Sequence, residues 1–154
     1  MNEKIVMIAD GYDRIDGRNA YRSAIKRLTL GAPTMEENER MLIAAQVWKE
    51  QPDGSLEINC ELPIHQVFDL AIFLSRTLLY FKEAYRLPLL YEPDCATVER
   101  VGMQGDAMTV SVCTDNPQIN GDIKDFSQAI SNLGELTGER LRTLTRILKE
   151  LECY

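Results

Sequence analysis

His65 and Asp69 stand four residues apart, so on a helix they share one face, with Arg76 two turns further along it. An imidazole oriented by a carboxylate is a general base or a metal ligand near neutral pH. Glu61 lies just before Pro63, a residue favoured at the first helical position, which brings its carboxylate near the positive helix end and close to His65. With Trp48 on the preceding strand, these residues outline a candidate ligand pocket of His65, Asp69, Glu61 and Trp48. A plainer reading competes with it. His65 is the single histidine of the chain, and a metal or triad site needs further partners that the sequence does not identify. Asp69 then merely pairs with His65 or Arg76, and Glu61 satisfies backbone donors at a helix start.

Arg14, Arg18, Arg22 and Lys26 recur at intervals of four, with Arg27 alongside. On a helix they form a basic stripe able to hold an acidic partner, a phosphate-bearing ligand or nucleic acid. Asp13, Asp16 and the acidic stretch Glu36, Glu37 and Glu39 balance that charge, so an ordinary solvated face is the favoured reading of the stripe. The net charge of −7 and pI near 4.8 argue against a general nucleic-acid binder, which needs clustered cations to displace counterions from phosphate.

Other chemistries fail on spacing. Cys60, Cys95, Cys113 and Cys153 include no CxxC pair, so a structural zinc site is not expected, and Cys113 as a nucleophile has no named base. Asp10, Asp13 and Asp16 recur every third residue, whereas a calcium loop needs alternate ligands, a glycine at its sixth position and a glutamate at its twelfth. Residues 116–127 do put Gly121 sixth, yet end in Ser127. Both segments read as turns in which Asx side chains cap their own backbone. There is no Gly-rich phosphate loop, no GxSxG and no HExxH, and neither metal nor cofactor is expected.

The elements that would position these residues follow from periodicity. Residues 62–87 form a helical stretch apolar on most of its circumference, and a helix of that character is expected to be buried at the centre of the fold. Asp69, Arg76, Lys82, Glu83 and Arg86 interrupt it too often for a membrane span, which takes about 20 predominantly apolar residues. Residues 4–9 suggest a strand followed by a polar loop. A short helix suits residues 18–28, although the run 25–30 fits a strand as well. Residues 41–50 and 55–62, joined through Pro52-Asp53-Gly54, read as a β-hairpin whose first arm is an interior strand. In the second arm Leu56, Ile58, Cys60 and Leu62 alternate with polar residues, predicting one buried face. A second hairpin spans 97–103 and 107–113, giving a sheet of at least four antiparallel strands. Asn120 or Asp122 can cap the first of two amphipathic helices, striped by Ile123, Phe126, Ile130 and Leu133 and then by Leu141, Leu144, Leu148 and Leu151.

The fold class expected is therefore α+β: an antiparallel sheet from two β-hairpins packed on a long buried helix, with a C-terminal helical hairpin. At 154 residues, a single globular domain, 1–154, is the expectation. The absence of close cysteine pairs and of a secretory leader ahead of Met7-Ile8 points to a cytoplasmic protein with free thiols.

The segment Glu61-Leu62-Pro63-Ile64-His65, followed by Val67 and Asp69-Leu70-Ala71 and preceded by Val47-Trp48, resembles a stretch found in a small family of uncharacterised bacterial proteins. The resemblance, confined to residues 47–71, implies a bacterial, cytoplasmic origin and carries no assigned catalytic or binding residue.

Clean periodicities and sparse chemistry favour a non-catalytic interaction domain that binds a protein partner or forms a homodimer, through the helical hairpin or an uncovered sheet edge. An enzyme or small-ligand binder centred on His65 is the alternative, and phosphate or nucleic-acid binding by the basic stripe is a third.

Overall fold

A computed structural model of the chain describes residues 4–17, 24–34 and 42–151. The strands are β1 (Ile5–Asp10), β2 (Ile25–Gly31), β3 (Ala44–Glu50) and β4 (Leu56–Pro63), followed by the helix α1 (Ile64–Glu83). The hairpin β5 (Thr97–Gly102) and β6 (Ala107–Ser111) comes next, then α2 (Ile119–Asn132) and α3 (Gly134–Glu150). The class is α+β, as the sequence periodicities indicate. The chain divides into two compact units, Met1–Ile72 and Phe73–Tyr154, and the division falls inside α1.

In the first unit β1 to β4 form one antiparallel sheet in sequence order, so each strand pairs with its chain neighbour. This corrects two expectations. The four-stranded sheet is built from β1 to β4, while β5 and β6 make a separate two-stranded sheet in the second unit. Residues 25–31 are a strand and not the tail of a helix, because β2 has an antiparallel partner on each side. Within the expected 41–50 arm, Ala44–Glu50 is an interior strand, β3, paired to both β2 and β4, and residue 41 lies outside the described residues.

The sheet's buried face follows from register, since residues paired across strands point to the same side. Ala44, Gln46 and Trp48 are the buried residues of β3, and Gln46 pairs with Thr29 on β2 and Glu61 on β4. A bulge at Asn59 decides which side β4 presents: Val47 pairs with Cys60 but Trp48 pairs with Ile58, leaving Asn59 as the extra residue. The strict alternation read from the sequence is therefore broken. Glu61 and Pro63 join Ile58 on the buried side, whereas Cys60 turns outward and is exposed.

A second bulge leaves Lys26 unpaired between Ile25 and Arg27. The strand joins are equally local. Gly11 turns the chain out of β1 with φ 73°, a left-handed backbone that glycine adopts without steric cost. At the end of β2, a Cβ on Gly31 would lie 2.1 Å from the Lys4 carbonyl oxygen, so this position tolerates only glycine while β1 pairs there.

The helix α1 departs most from expectation. None of its residues is buried, and Val67, Phe68, Leu70, Phe73, Leu74 and Leu79 are all exposed. The burial inferred from its composition is thus absent from the isolated chain. In the second unit the buried apolar residues are Ala84, Tyr91, Val110 and Ile123. The α2 helix starts after Gln118, not at a cap on Asn120 or Asp122: the Asn116 side chain accepts from the Gln118 amide, and Asn120 accepts the Tyr91 hydroxyl. Only Leu133 separates α2 from α3, and both Gly134 and Gly138 lie within α3.

Candidate functional site

The four residues of the expected pocket separate into two groups. Trp48 and Glu61 belong to a continuous hydrogen-bonded row crossing the buried face of the first sheet. Trp48 Nε1 donates to Thr29 Oγ1 at 2.8 Å, Thr29 Oγ1 donates to Gln46 Oε1 at 2.7 Å, and Gln46 Nε2 donates to Glu61 Oε2 at 2.7 Å. The Glu61 carboxylate also accepts from the Thr34 amide and hydroxyl, each at 3.0 Å. Every donor in the row meets an acceptor, as burial demands: Gln46 is 2 % exposed and Thr29 3 %. Glu61 therefore ties the segment that follows β2 to β4.

His65 and Asp69 lie apart from this row. His65 is exposed at the start of α1, and among the described residues no hydrogen bond or ion pair links it to Asp69. Arg76 is engaged elsewhere: its Nε lies 2.5 Å from Glu99 Oε1 on β5, an ion contact whose angles fall outside a hydrogen bond. The expected pairing of Asp69 with His65 or Arg76 is not formed.

The basic stripe dissolves at its described positions. Bulged out of β2, Lys26 reaches Asp13 Oδ2 at 3.0 Å and Glu50 Oε2 at 3.7 Å, and Arg27 Nε meets Asp10 Oδ1 at 2.7 Å. The Lys26 ammonium beside Asp13 holds that carboxyl below its ordinary value of 3.8, and Asp13 in turn holds Lys26 above 10.5. Arg14 sits in a short 3₁₀ turn, Tyr12–Arg14, and its guanidinium folds back over Gly11. Arg18 and Arg22 lie outside the described residues. Asp10 and Asp13 are thus ion-pair partners.

What the first unit does present is apolar surface. Phe68 is 59 % exposed and Leu70 56 %, and over residues 64–75 Asp69 is the single charged side chain. At the sheet edge, Val6, Met7 and Ile8 of β1 are exposed too. Large exposed apolar patches mark interaction sites, whereas apolar residues scattered singly do not.

The model of a family of unknown function, DUF6530, matches residues 1–154. The chain belongs to that family. The family match extends the resemblance noted over residues 47–71 to the whole chain. No curated protein and no solved structure gives a match.

In this member of the family the described cysteines Cys60, Cys95 and Cys113 are free and exposed, and among the described residues no cluster of metal-ligating side chains occurs. Among the described residues no helix is long and apolar enough to cross a membrane. Thr29 and Gln46 were missed by reasoning on the sequence because each interrupts an apolar strand and looks like a wet-face residue. A signal was present in Gln46, which falls in the same two-residue frame as Ala44 and Trp48.

Proposed function

We propose that this protein is a non-catalytic interaction domain that self-associates through the apolar surface of α1. The observation that supports the reading is that a 20-residue helix of this composition has no buried residue. A helix apolar around its circumference is stable in water only when something covers it.

A second copy of the chain is the occupant we favour. At a net charge of −7, copies repel one another at long range, so association needs a face nearly free of charge. Residues 64–75 supply one, carrying Asp69 alone. The other exposed apolar features suit the role less. Leu141, Leu144 and Leu151 of the C-terminal stripe are interleaved with Arg140, Arg142, Arg146 and Lys149, and β1 offers only six residues of edge.

The free thiols are consistent with a cytoplasmic location, and a bacterial origin accompanies the resemblance at residues 47–71. Light scattering coupled to gel filtration tests the reading, which requires a dimer or larger species at micromolar concentration. A strict monomer at high concentration overturns self-association.

A further inference from the structure

We propose that the second unit contains a binding site for a small neutral or cationic aromatic molecule, whose lining shares Phe73 with the apolar surface of α1 but includes neither Phe68 nor Leu70. A cavity of about 290 Å³ lies among the second half of α1, the β5–β6 hairpin and α2. Ligand pockets start at about 300 Å³, so the space suits a molecule the size of one fused bicyclic ring.

The walls specify an aromatic guest. Phe73 and Phe81 from α1 and Phe126 from α2 line the cavity, so three of the chain's four phenylalanines converge on it from two elements, joined by Tyr80. The Phe81 and Phe126 ring centroids are 5.4 Å apart with planes at 59°, and Tyr80 meets Phe81 edge-on at 5.4 Å and 84°. Tilted and edge-to-face arrangements of this kind are the favoured aromatic contacts, and a guest ring extends them. The cavity floor includes Val110 and Ile123, which are 5 % and 4 % exposed and give the site a packed support.

The polar lining specifies charge. Asp122 is the one ionised side chain in it, with no lysine, arginine or histidine. The Asp122 carboxylate accepts from Asn116 Nδ2 at 2.9 Å, which leaves it capacity for a further donor. An anionic guest would lose hydration and meet a like charge, whereas an N–H or ammonium group meets an acceptor. Burial raises the Tyr80 phenol above its ordinary pKa, in keeping with apolar surroundings on that wall.

Cys113 lies on the lining and supplies a site-specific reporter, with Cys60 and Cys95 as free thiols elsewhere. The experiment uses the full chain and three probes of one shape: indole, tryptamine and indole-3-acetate. Saturable binding is followed by ligand-observed NMR, and iodoacetamide labelling is read cysteine by cysteine by mass spectrometry. Indole and tryptamine are expected to bind and to slow alkylation of Cys113 while leaving Cys60 and Cys95 unchanged. Tryptamine should exceed indole-3-acetate by about fivefold or more, the ratio set by one partly exposed charge contact. Asp122→Asn, or Asp122→Ser should the first variant fold poorly, should bring tryptamine down to indole. No saturable binding, binding that leaves Cys113 unprotected, or equal affinity for the acid and the amine overturns the proposal.

Discussion

The Thr29 hydroxyl donates to the Gln46 side-chain carbonyl at 2.7 Å while accepting from Trp48, so one small side chain satisfies two buried groups on the neighbouring strand. Thr29→Val keeps the shape and removes both bonds. Each stranded buried group costs about 1–3 kcal/mol. Urea unfolding followed by the fluorescence of Trp48, the single tryptophan, should show a loss of about 2–6 kcal/mol for the two groups together and a shifted native emission. Thr29→Ser, which keeps the hydroxyl, should lose much less; equal losses in the two variants would show that the hydroxyl contributes nothing.

The Thr34 backbone amide has its acceptor in the Glu61 carboxylate, at 3.0 Å from Oε2. Glu61→Ala should therefore raise hydrogen exchange at Thr34 well above the rate in the native protein, and should strand the Gln46 amide as well. Unchanged exchange at Thr34 would argue that the clamp is not what orders this segment.

Phe68 and Leu70 are exposed in the single chain, and exposed positions usually tolerate substitution within about 0.5 kcal/mol. Phe68→Glu together with Leu70→Glu should shift the light-scattering mass to that of a monomer without lowering the denaturation midpoint of the monomer. A double variant that keeps the native mass would exclude this face as the contact between copies.

The ion pair of Lys26 with Asp13 sets a pH window. Asp13 has a depressed pKa in the fold, so its stabilisation is present above 3.8 and is lost as pH falls through the lower folded value. Lys26 has a raised one, so its share is present below 10.5 and is lost as pH rises through the higher folded value. The unfolding midpoint of the native protein should exceed that of Lys26→Met by a constant margin between these limits and converge with it beyond either. A margin that drifts across neutral pH would count against the pair.

Tyr80 should titrate late. Its phenol is raised above 10.0 chiefly by burial, so ultraviolet difference titration should resolve one ionisation that follows those of exposed tyrosines and that Tyr80→Phe abolishes. Because the unfolded chain ionises first, stability should decline as pH rises above 10.

The strands at the first hairpin, the hairpin at 97–113 and both C-terminal helices were legible because period-2 and period-3.6 patterns act locally. The face of β4 was not. A bulge is settled by how two strands match across the sheet, and Asn59 looks in sequence like any wet-face residue. The same limit applies to β2, whose apolar run suits helix or strand until partners on both sides choose. His65 and Asp69 have the spacing of a pair, yet spacing alone does not make helix neighbours bond: His65 is exposed while Asp69 is half-buried.

By itself the sequence determined the α+β class, the extent of most elements, the absence of close metal-ligand pairs and the strongly apolar character of α1. Tertiary structure alone decided that Glu61 joins Trp48 through Gln46 and Thr29, that Lys26 faces carboxylates, that three phenylalanines meet around one cavity, and that no residue of α1 is buried. The physical reason is the range of the forces involved. Periodicity and backbone propensity act over a few residues, whereas register, ion pairing and burial depend on which distant segments the folded chain brings together.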